Sequence, residues 1–242
     1  MVNFSVRTLS LLDKALVLGV VATLAACGSN ALGPERGAEG RRSAADDGTP
    51  FYYYDHQPIY LTVDSARMVV LPNDALAADS VSVRDAVQAR LARYGLQIDL
   101  LQSLGPPPFH WLVQLSGYVN ADTAAVARAE LVSAPELRAV IPAYRSVDGG
   151  VPVFVLNRVV ARFKDGVSRG QIDGLVASLG AEVIRVQDAG SGYVTYLIEP
   201  SPGSHGDVLK IANAIDESSI ALWGSPDMVH PAMGPTSLLG TE

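Results

Sequence analysis

The sequence predicts an α+β protein in which one order of strands and helices occurs twice. Three observations support this prediction: apolar and polar residues alternate over residues 157–166, the following segments have helical amphipathic spacing, and a weak repeat relates Pro58 to Pro152. The chain has 242 residues, of which 48% are hydrophobic and 18% are charged. This is enough for two small domains behind an N-terminal targeting segment.

The second unit begins with the alternating strand at residues 157–166, which stops at Gly166. Ser168 is the predicted N-cap of a helix that ends at Gly180. The apolar residues of this helix fall on one face: Ile172, Leu175, Val176 and Leu179. The sequence therefore predicts a strand and a helix in direct succession.

Two strands, Ala181–Val186 and Tyr193–Ile198, follow and are joined by the turn-rich residues 188–192. A second amphipathic helix over about residues 206–215 precedes a short strand at Ile220–Trp223. The inward positions of that helix are Val208, Ile211, Ala212 and Ile215. The order β-α-β-β-α-β is a split βαβ unit, the ferredoxin-like arrangement.

The first unit repeats this order with a more divergent sequence. A strand at Met68–Asp74 precedes a helix that ends at Gly95, and a second helix is predicted at Ala121–Val132. The remaining strands are residues 97–104, 109–115 and 137–141. We therefore predict two tandem ferredoxin-like domains, 51–147 and 151–231, with a boundary near residues 146–150 and a disordered tail at 232–242.

Residues 1–27 are typical of an export signal. Arg7 and Lys14 precede an apolar stretch, residues 15–23, that is too short to cross a bilayer. The sequence Leu24-Ala25-Ala26-Cys27 resembles the lipobox of bacterial lipoproteins, which implies cleavage before Cys27 and diacylation of its sulfur. The alternatives are an uncleaved anchor or a free reactive cysteine.

Residues 28–50 are predicted to be a flexible tether, because they are rich in Gly, Ala and Ser and lack apolar periodicity. Gly28, rather than Asp, follows the predicted lipidated cysteine, which by analogy with enterobacterial sorting favours the outer membrane. We expect a lipid-anchored protein of the bacterial cell envelope. Cys27 is the only cysteine, so the exported part has no disulfide.

Four adjacent aromatic residues, Phe51–Tyr54, open the folded region. Neighbouring residues of a strand point to opposite faces, so half of them must be exposed or covered by another element. They are interpreted either as packing on an edge strand, which we prefer, or as a stacking platform for a sugar or a peptide.

Several function classes are disfavoured by composition and spacing. A net charge of −7 without a basic cluster argues against nucleic-acid binding. The histidines are His56, His110, His205 and His230. His205-Gly206-Asp207 has no catalytic serine motif after it, and the other candidate triad members lie in unrelated segments, whereas a triad needs its members within hydrogen-bond reach. No metal-ligand or phosphate-loop motif is present. We expect a non-enzymatic protein without a cofactor.

The second unit also resembles a protein family. The residues are 160–168 (Val-Ala-Arg-Phe-Lys-Asp-Gly-Val-Ser), 179–183 (Leu-Gly-Ala-Glu-Val) and 220–227 (Ile-Ala-Leu-Trp-Gly-Ser-Pro-Asp). This pattern is similar to the N-terminal prodomain of fervidolysin-type subtilisin-like serine proteases. The resemblance implies that residues 223–233 are an exit strand and a tail that enters the protease cleft. The implied protease-binding residues are Asp188, Trp223, Pro226, Asp227, Met228 and Val229.

The function that this resemblance implies is inhibition or folding assistance of a subtilisin-like protease by a membrane-anchored protein. The strand at 193–198 is apolar on both faces, so the face away from the helices needs a cover, which is either the protease or the other repeat. The alternatives are an envelope binding or structural module, and the N-terminal fragment of a truncated subtilase precursor.

The lipobox generates a direct test. Cys27→Ser removes the thiol that accepts the lipid, so we expect the unprocessed precursor to accumulate and to leave the membrane fraction. Globomycin treatment of the unaltered chain should have the same effect on processing. Intact mass and fractionation measure both, with Ser29→Ala as the control. Unchanged mass and membrane association of the Cys27→Ser protein would refute lipidation.

Overall fold

The structure, a computed structural model, describes residues 48–229 apart from 75, 77–78, 106–108, 148–149, 189–192 and 203–206. These residues are part of one compact α+β unit. They contain nine strands, which form a curled antiparallel sheet, and four α-helices. Among the described helices, none combines the length and the apolar character that a membrane span needs.

The elements of the first half begin with a hairpin. They are β1 Phe51–Tyr54, β2 Gln57–Pro72, α1 Ser80–Leu91 with a 3₁₀ turn at Ala92–Tyr94, β3 Ile98–Ser103, β4 Trp111–Leu115, α2 Ala121–Val132 and β5 Leu137–Ser146. The strands are hydrogen-bonded in the order β3-β4-β2-β5. Strand β1 pairs with the start of β2.

The second half has β6 Pro152–Phe163, α3 Arg169–Ser178, β7 Ala181–Asp188, β8 Val194–Pro200, α4 Val208–Asp216 and β9 Ala221–Val229. Its strands are hydrogen-bonded in the order β7-β8-β6, with β9 also paired to β6. The two halves join where β5 pairs with β6 through Tyr144–Val153 and Arg145–Pro152.

The helix boundaries follow from local capping. The Ser168 side chain accepts a hydrogen bond from the Gln171 backbone N–H, and the Gln171 side-chain oxygen accepts one from the Ser168 backbone N–H, which completes a capping box. Gly180 ends this segment with φ of 67°, a left-handed conformation that favours glycine. Asp79, Asn120 and Asp207 cap the other helices with their side chains. Ser168 and Gly180 thus perform the roles that the sequence predicts.

Several strands are longer than the sequence predicts, and two of them continue through a proline. Strand β5 continues past Pro142 to Ser146, and β9 continues past Trp223 through Pro226 to Val229. Each proline lies next to an irregularity of the ladder, between Asp64 and Met68 for Pro142 and between Val155 and Val159 for Pro226. A proline is tolerated at a bulge because no regular ladder hydrogen bond needs its missing N–H.

Both faces of the first sheet are covered. Met68 and Val70 pack with α1 and α2 in one core cluster. The opposite face carries the cross-strand row Leu112, Val69 and Ile141, which is buried in a second cluster together with residues of β6 and of the second half. Burying each of these side chains contributes about 1.5–3 kcal/mol. The second half therefore covers the sheet face that α1 and α2 leave open.

The helix-facing side of the second sheet is identified by Gly224. A Cβ built on Gly224 would lie 2.7 Å from the Ala212 carbonyl oxygen and 2.9 Å from the Ile215 Cγ2 of α4. Gly224 pairs with Ala161, which also pairs with Tyr196, so this row faces the helices. Because neighbouring residues in a strand alternate, Trp223 and Ser225 face the other way.

The N-terminal hairpin packs against α4. Asp55 and His56 turn the hairpin with φ of 49° and 59°. The Tyr53 hydroxyl donates to Glu217 at 2.7 Å, and His56 Nδ1 lies 3.0 Å from Asp216 Oδ2. Phe51 contacts the Tyr53 and Tyr60 rings at centroid distances of 5.4 and 6.0 Å. These contacts correspond to the packing interpretation of the aromatic run.

The close approach at Gly224 generates a matched pair of substitutions. Gly224→Ala places a methyl group against the α4 backbone, so we expect a loss of stability of about 1–3 kcal/mol. Gly174→Ala, in the interior of α3 with open space around it, should instead raise stability by about 0.5–1 kcal/mol. Urea unfolding measures both. Equal effects of the two substitutions would contradict the assignment of the helix-facing side.

Candidate functional site

The candidate site is the face of the second sheet that points away from α3 and α4, which we call the open face. It is formed by the cross-strand neighbours Val160, Leu197 and Ser225, together with Arg162, Trp223 and Tyr193. Val160 and Leu197 are only half-buried, whereas the equivalent row of the first sheet is buried. The Tyr193 and Trp223 side chains are 51% and 37% exposed.

An arginine lies between the two aromatic side chains of this face. Arg162 is paired across the ladder with Trp223, and its guanidinium carbon lies 4.0 Å from the centroid of the Tyr193 ring. This distance is typical of a cation–π contact. Arg185 of β7 pairs with Leu197 and is therefore on the same face. Neither arginine forms an ion pair among the described residues, so the face carries positive charge.

Two ion pairs close the end of this face that lies toward the first half. Arg158 Nη2 is 2.7 Å from Asp227 Oδ2, and Arg138 Nη2 of β5 is 3.2 Å from Glu199 Oε2. Glu199 is buried, and this burial raises the pKa of its carboxyl group, while Arg138 and Arg158 act to lower it. The loss of hydration at Glu199 therefore outweighs the attraction of the two guanidinium groups.

The structure places the predicted protease-binding residues in different environments. Asp188 ends β7 and is exposed, and Trp223 lies on the open face. Pro226 is buried opposite Val159, and Asp227 forms the ion pair with Arg158. Met228 and Val229 pair with Val155 and Phe154 and pack against the core. Residues 226–229 are thus part of the sheet and not of a tail.

Other predicted features lie outside the described residues. These are Cys27 and its lipobox Leu24, Ala25 and Ala26, as well as His205 and His230. His56 contacts Asp216, whereas His110 is buried between the two halves, where its Nε2 accepts a hydrogen bond from the Asn157 backbone N–H at 3.0 Å. Within the described part of the chain, no three His, Cys, Asp or Glu residues are grouped to hold a metal ion.

Sequence reasoning missed the polar residues of the open face. No motif of the sequence marks Arg158, Arg162 or Glu199, although Arg162 alternates with the buried residues Ala161 and Phe163. That alternation was the available signal for Arg162. Glu199 gave no comparable signal, because its partner Arg138 is in the other half of the chain.

Comparisons with known proteins give no family. The sequence matches no family model and no curated protein. Solved structures with some similarity include the regulatory subunit of aspartate kinase from Thermus thermophilus, at 17% identity over 58% of this chain and 87% of that chain, with a TM-score of 0.24. The protein BT0572 from Bacteroides thetaiotaomicron has 14% identity over 68% and 90%, with a TM-score of 0.21. A protein from Galdieria sulphuraria has 10% identity over 55% and 76%, with a TM-score of 0.21.

The raised pKa of Glu199 predicts a pH dependence of stability. Between the ordinary glutamate pKa of about 4.3 and the raised pKa, the folded protein holds a proton that the unfolded chain has released. Stability therefore falls as the pH rises through this interval. Glu199→Gln should flatten this part of the profile of stability against pH. The control is Asp85→Asn at an exposed position, and it should leave this part of the profile unchanged. Urea unfolding from pH 4 upward measures the effect, and an unaltered slope for Glu199→Gln would contradict it.

Proposed function

We propose that this chain is a non-catalytic lipoprotein of the bacterial cell envelope that inhibits, or assists the folding of, a subtilisin-like serine protease. The second half makes the contact through its open face. The resemblance of residues 160–227 to subtilase prodomains supports this function, and the open face is the surface of the second half that exposes side chains for the contact.

The observation that carries the proposal is the unequal covering of the two sheets. The face of the first sheet that α1 and α2 leave open is buried by the second half. The corresponding face of the second sheet exposes Tyr193 and Trp223 and leaves Val160 half-buried. An apolar and aromatic face of this kind is typical of a surface that meets another protein.

The chemistry of the open face defines the partner's surface. Arg162 and Arg185 add positive charge beside the aromatic rings, although the chain as a whole carries a net charge of −7. The matching surface on the protease is therefore apolar with acidic groups. Arg and Trp are the residue types that most often dominate binding energy in interfaces.

The tail contributes to the contact only beyond β9. Met228 and Val229 belong to the ladder with β6, so their use as cleft anchors would require the end of β9 to separate from β6. We therefore assign recognition to Trp223 and its neighbours on the open face. The segment that enters the cleft begins after Val229.

The two halves are, in this proposal, tandem ferredoxin-like domains. The support is that both halves have the order β-α-β-β-α-β and that both last strands carry a proline opposite the irregular part of the first strand. These prolines are Pro142 opposite Met68 and Pro226 opposite Val159. Lipidation at Cys27 and placement at the outer membrane complete the proposal and rest on the sequence alone.

The experiment measures hydrolysis of a peptide substrate by a subtilisin-like protease from the same organism. We expect the purified chain to slow the reaction, and the double variant Arg162→Ala with Trp223→Ala to require about a hundredfold higher concentration for the same effect, since two hot-spot residues are removed. A chain that ends at Val229 separates the role of the tail, because β9 stays complete.

The matched control is Val126→Ala, which changes an exposed apolar residue on α2 of the first half. Its inhibition should equal that of the unaltered chain. If the unaltered chain neither slows the protease nor raises the yield of active protease on refolding, the proposal is wrong. The alternative is then a structural module of the envelope, which is favoured by the mutual packing of the two halves in one compact unit.

A further inference from the structure

A second concave surface lies at the junction of the two halves. It is a cleft of about 410 Å³ between β5 and the end of β8, both of which lie beside β6. One wall is formed by the end of α2 and by β5 from Leu137 to Ile141, and the other by Pro200 and Pro202, with Asn157 of β6 between them. Its volume is in the range of ligand-binding clefts.

The β5 wall is a strand edge. Strand β5 pairs with β2 along its length but with β6 only at Tyr144 and Arg145. From residue 137 to 143, no described strand pairs with its second side. In an antiparallel strand with one neighbour, alternate residues direct their N–H and C=O groups toward the free side. The cleft is therefore bordered by a short row of backbone donors and acceptors.

The side chain of Asn157 has the same kinds of hydrogen-bonding groups as the backbone of β5. This residue is 7% exposed and lines the cleft, yet no hydrogen bond joins its side-chain amide to a described residue. Its backbone is fixed, because the Asn157 N–H donates to His110 Nε2 at 3.0 Å. A carboxamide offers one acceptor and two donors, the set that matches a peptide group. Because this residue lines the cleft, its carboxamide is available to a partner that enters there.

The charges at the cleft are already paired. Arg138, the charged residue of the lining, contacts Glu199 at 3.2 Å, and its other guanidinium nitrogen lies 4.0 Å from Asp74. The rest of the lining is apolar or uncharged and includes Val132, Pro200 and Pro202. A charged ligand would have to break the Arg138–Glu199 pair, whereas an uncharged one would not.

We propose that this cleft binds an extended, uncharged peptide segment of another protein, which adds as a strand to β5. The peptide backbone pairs with the free edge at residues 137–141, and the Asn157 side chain hydrogen-bonds a peptide group from the opposite side. Small and β-branched side chains of the segment contact Val132 and the two prolines. This is strand addition, in which backbone pairing supplies affinity and side-chain pockets supply selectivity. The cleft and the open face share only the Arg138–Glu199 pair at their border, so the peptide is proposed as an occupant separate from the protease.

The test uses a fluorescein-labelled peptide of alternating alanine and valine with blocked ends, and fluorescence anisotropy with the full chain carrying Cys27→Ser. We expect saturable binding. The same peptide with two consecutive central amides N-methylated should lose binding. Consecutive N–H groups of an extended peptide point to opposite edges, so each edge then lacks one hydrogen-bond donor. Asn157→Leu should weaken binding about tenfold through the lost hydrogen bond and leave the melting temperature equal or higher.

Gln187→Leu, an exposed amide on β7, is the control and should bind as the unaltered chain does. A chain that ends at Val229 is measured in parallel. Tighter binding by this shorter chain supports strand addition and identifies residues 230–242 as a competitor for the same edge. The proposal is overturned by absence of saturable binding in both chains, by equal binding of the methylated peptide, or by equal binding of a folded Asn157→Leu chain.

Discussion

Strand β6 is the element on which the rest of the structure depends. It pairs with β5, β8 and β9, so it joins the ladders of both halves. Its first residues, Val153–Leu156, are buried in the same cluster as Val69 and Ile141 of the first sheet, whereas Val159, Ala161 and Phe163 face the helices of the second half. One strand serves both purposes because its pairing with β9 is irregular between Val155 and Val159, where the Asn157 N–H is bound by His110 instead. A bulge redirects a strand at the cost of local ladder hydrogen bonds.

The faces of the two sheets are covered to different extents because of this arrangement. A sheet covered by helices on one side has a second face that must be buried or exposed. The beginning of β6 covers the second face of the first sheet. No described element covers the corresponding face of the second sheet, which is the open face. The open face and the cleft are both products of this geometry, but they differ in chemistry. The open face presents side chains, above all Tyr193, Arg162 and Trp223, whereas the cleft presents the backbone of β5 and a single carboxamide.

Much of the local structure was predictable from the sequence because local interactions determine it. Ser168 and Gln171 form their capping box within one turn of helix, Gly180 takes the left-handed conformation at the helix end, and α2 spans the predicted residues Ala121–Val132. The strand ends were predicted less well. Pro142 and Pro226 indicate the end of a strand when only neighbouring residues are considered. Both are accommodated because the irregularity that tolerates them is in the opposite strand, many residues away.

The sequence by itself determined the order of strands and helices, the caps that delimit the helices, and the alternation that separates Ala161 and Phe163 from Val160 and Arg162. These features depend on residues close together in the chain. The tertiary structure alone decided which sheet face is covered, that Met228 and Val229 belong to the sheet, and that Glu199 meets Arg138. Each of these outcomes depends on a contact between distant segments, and the choice between two apolar faces of a strand is decided only by what packs against them.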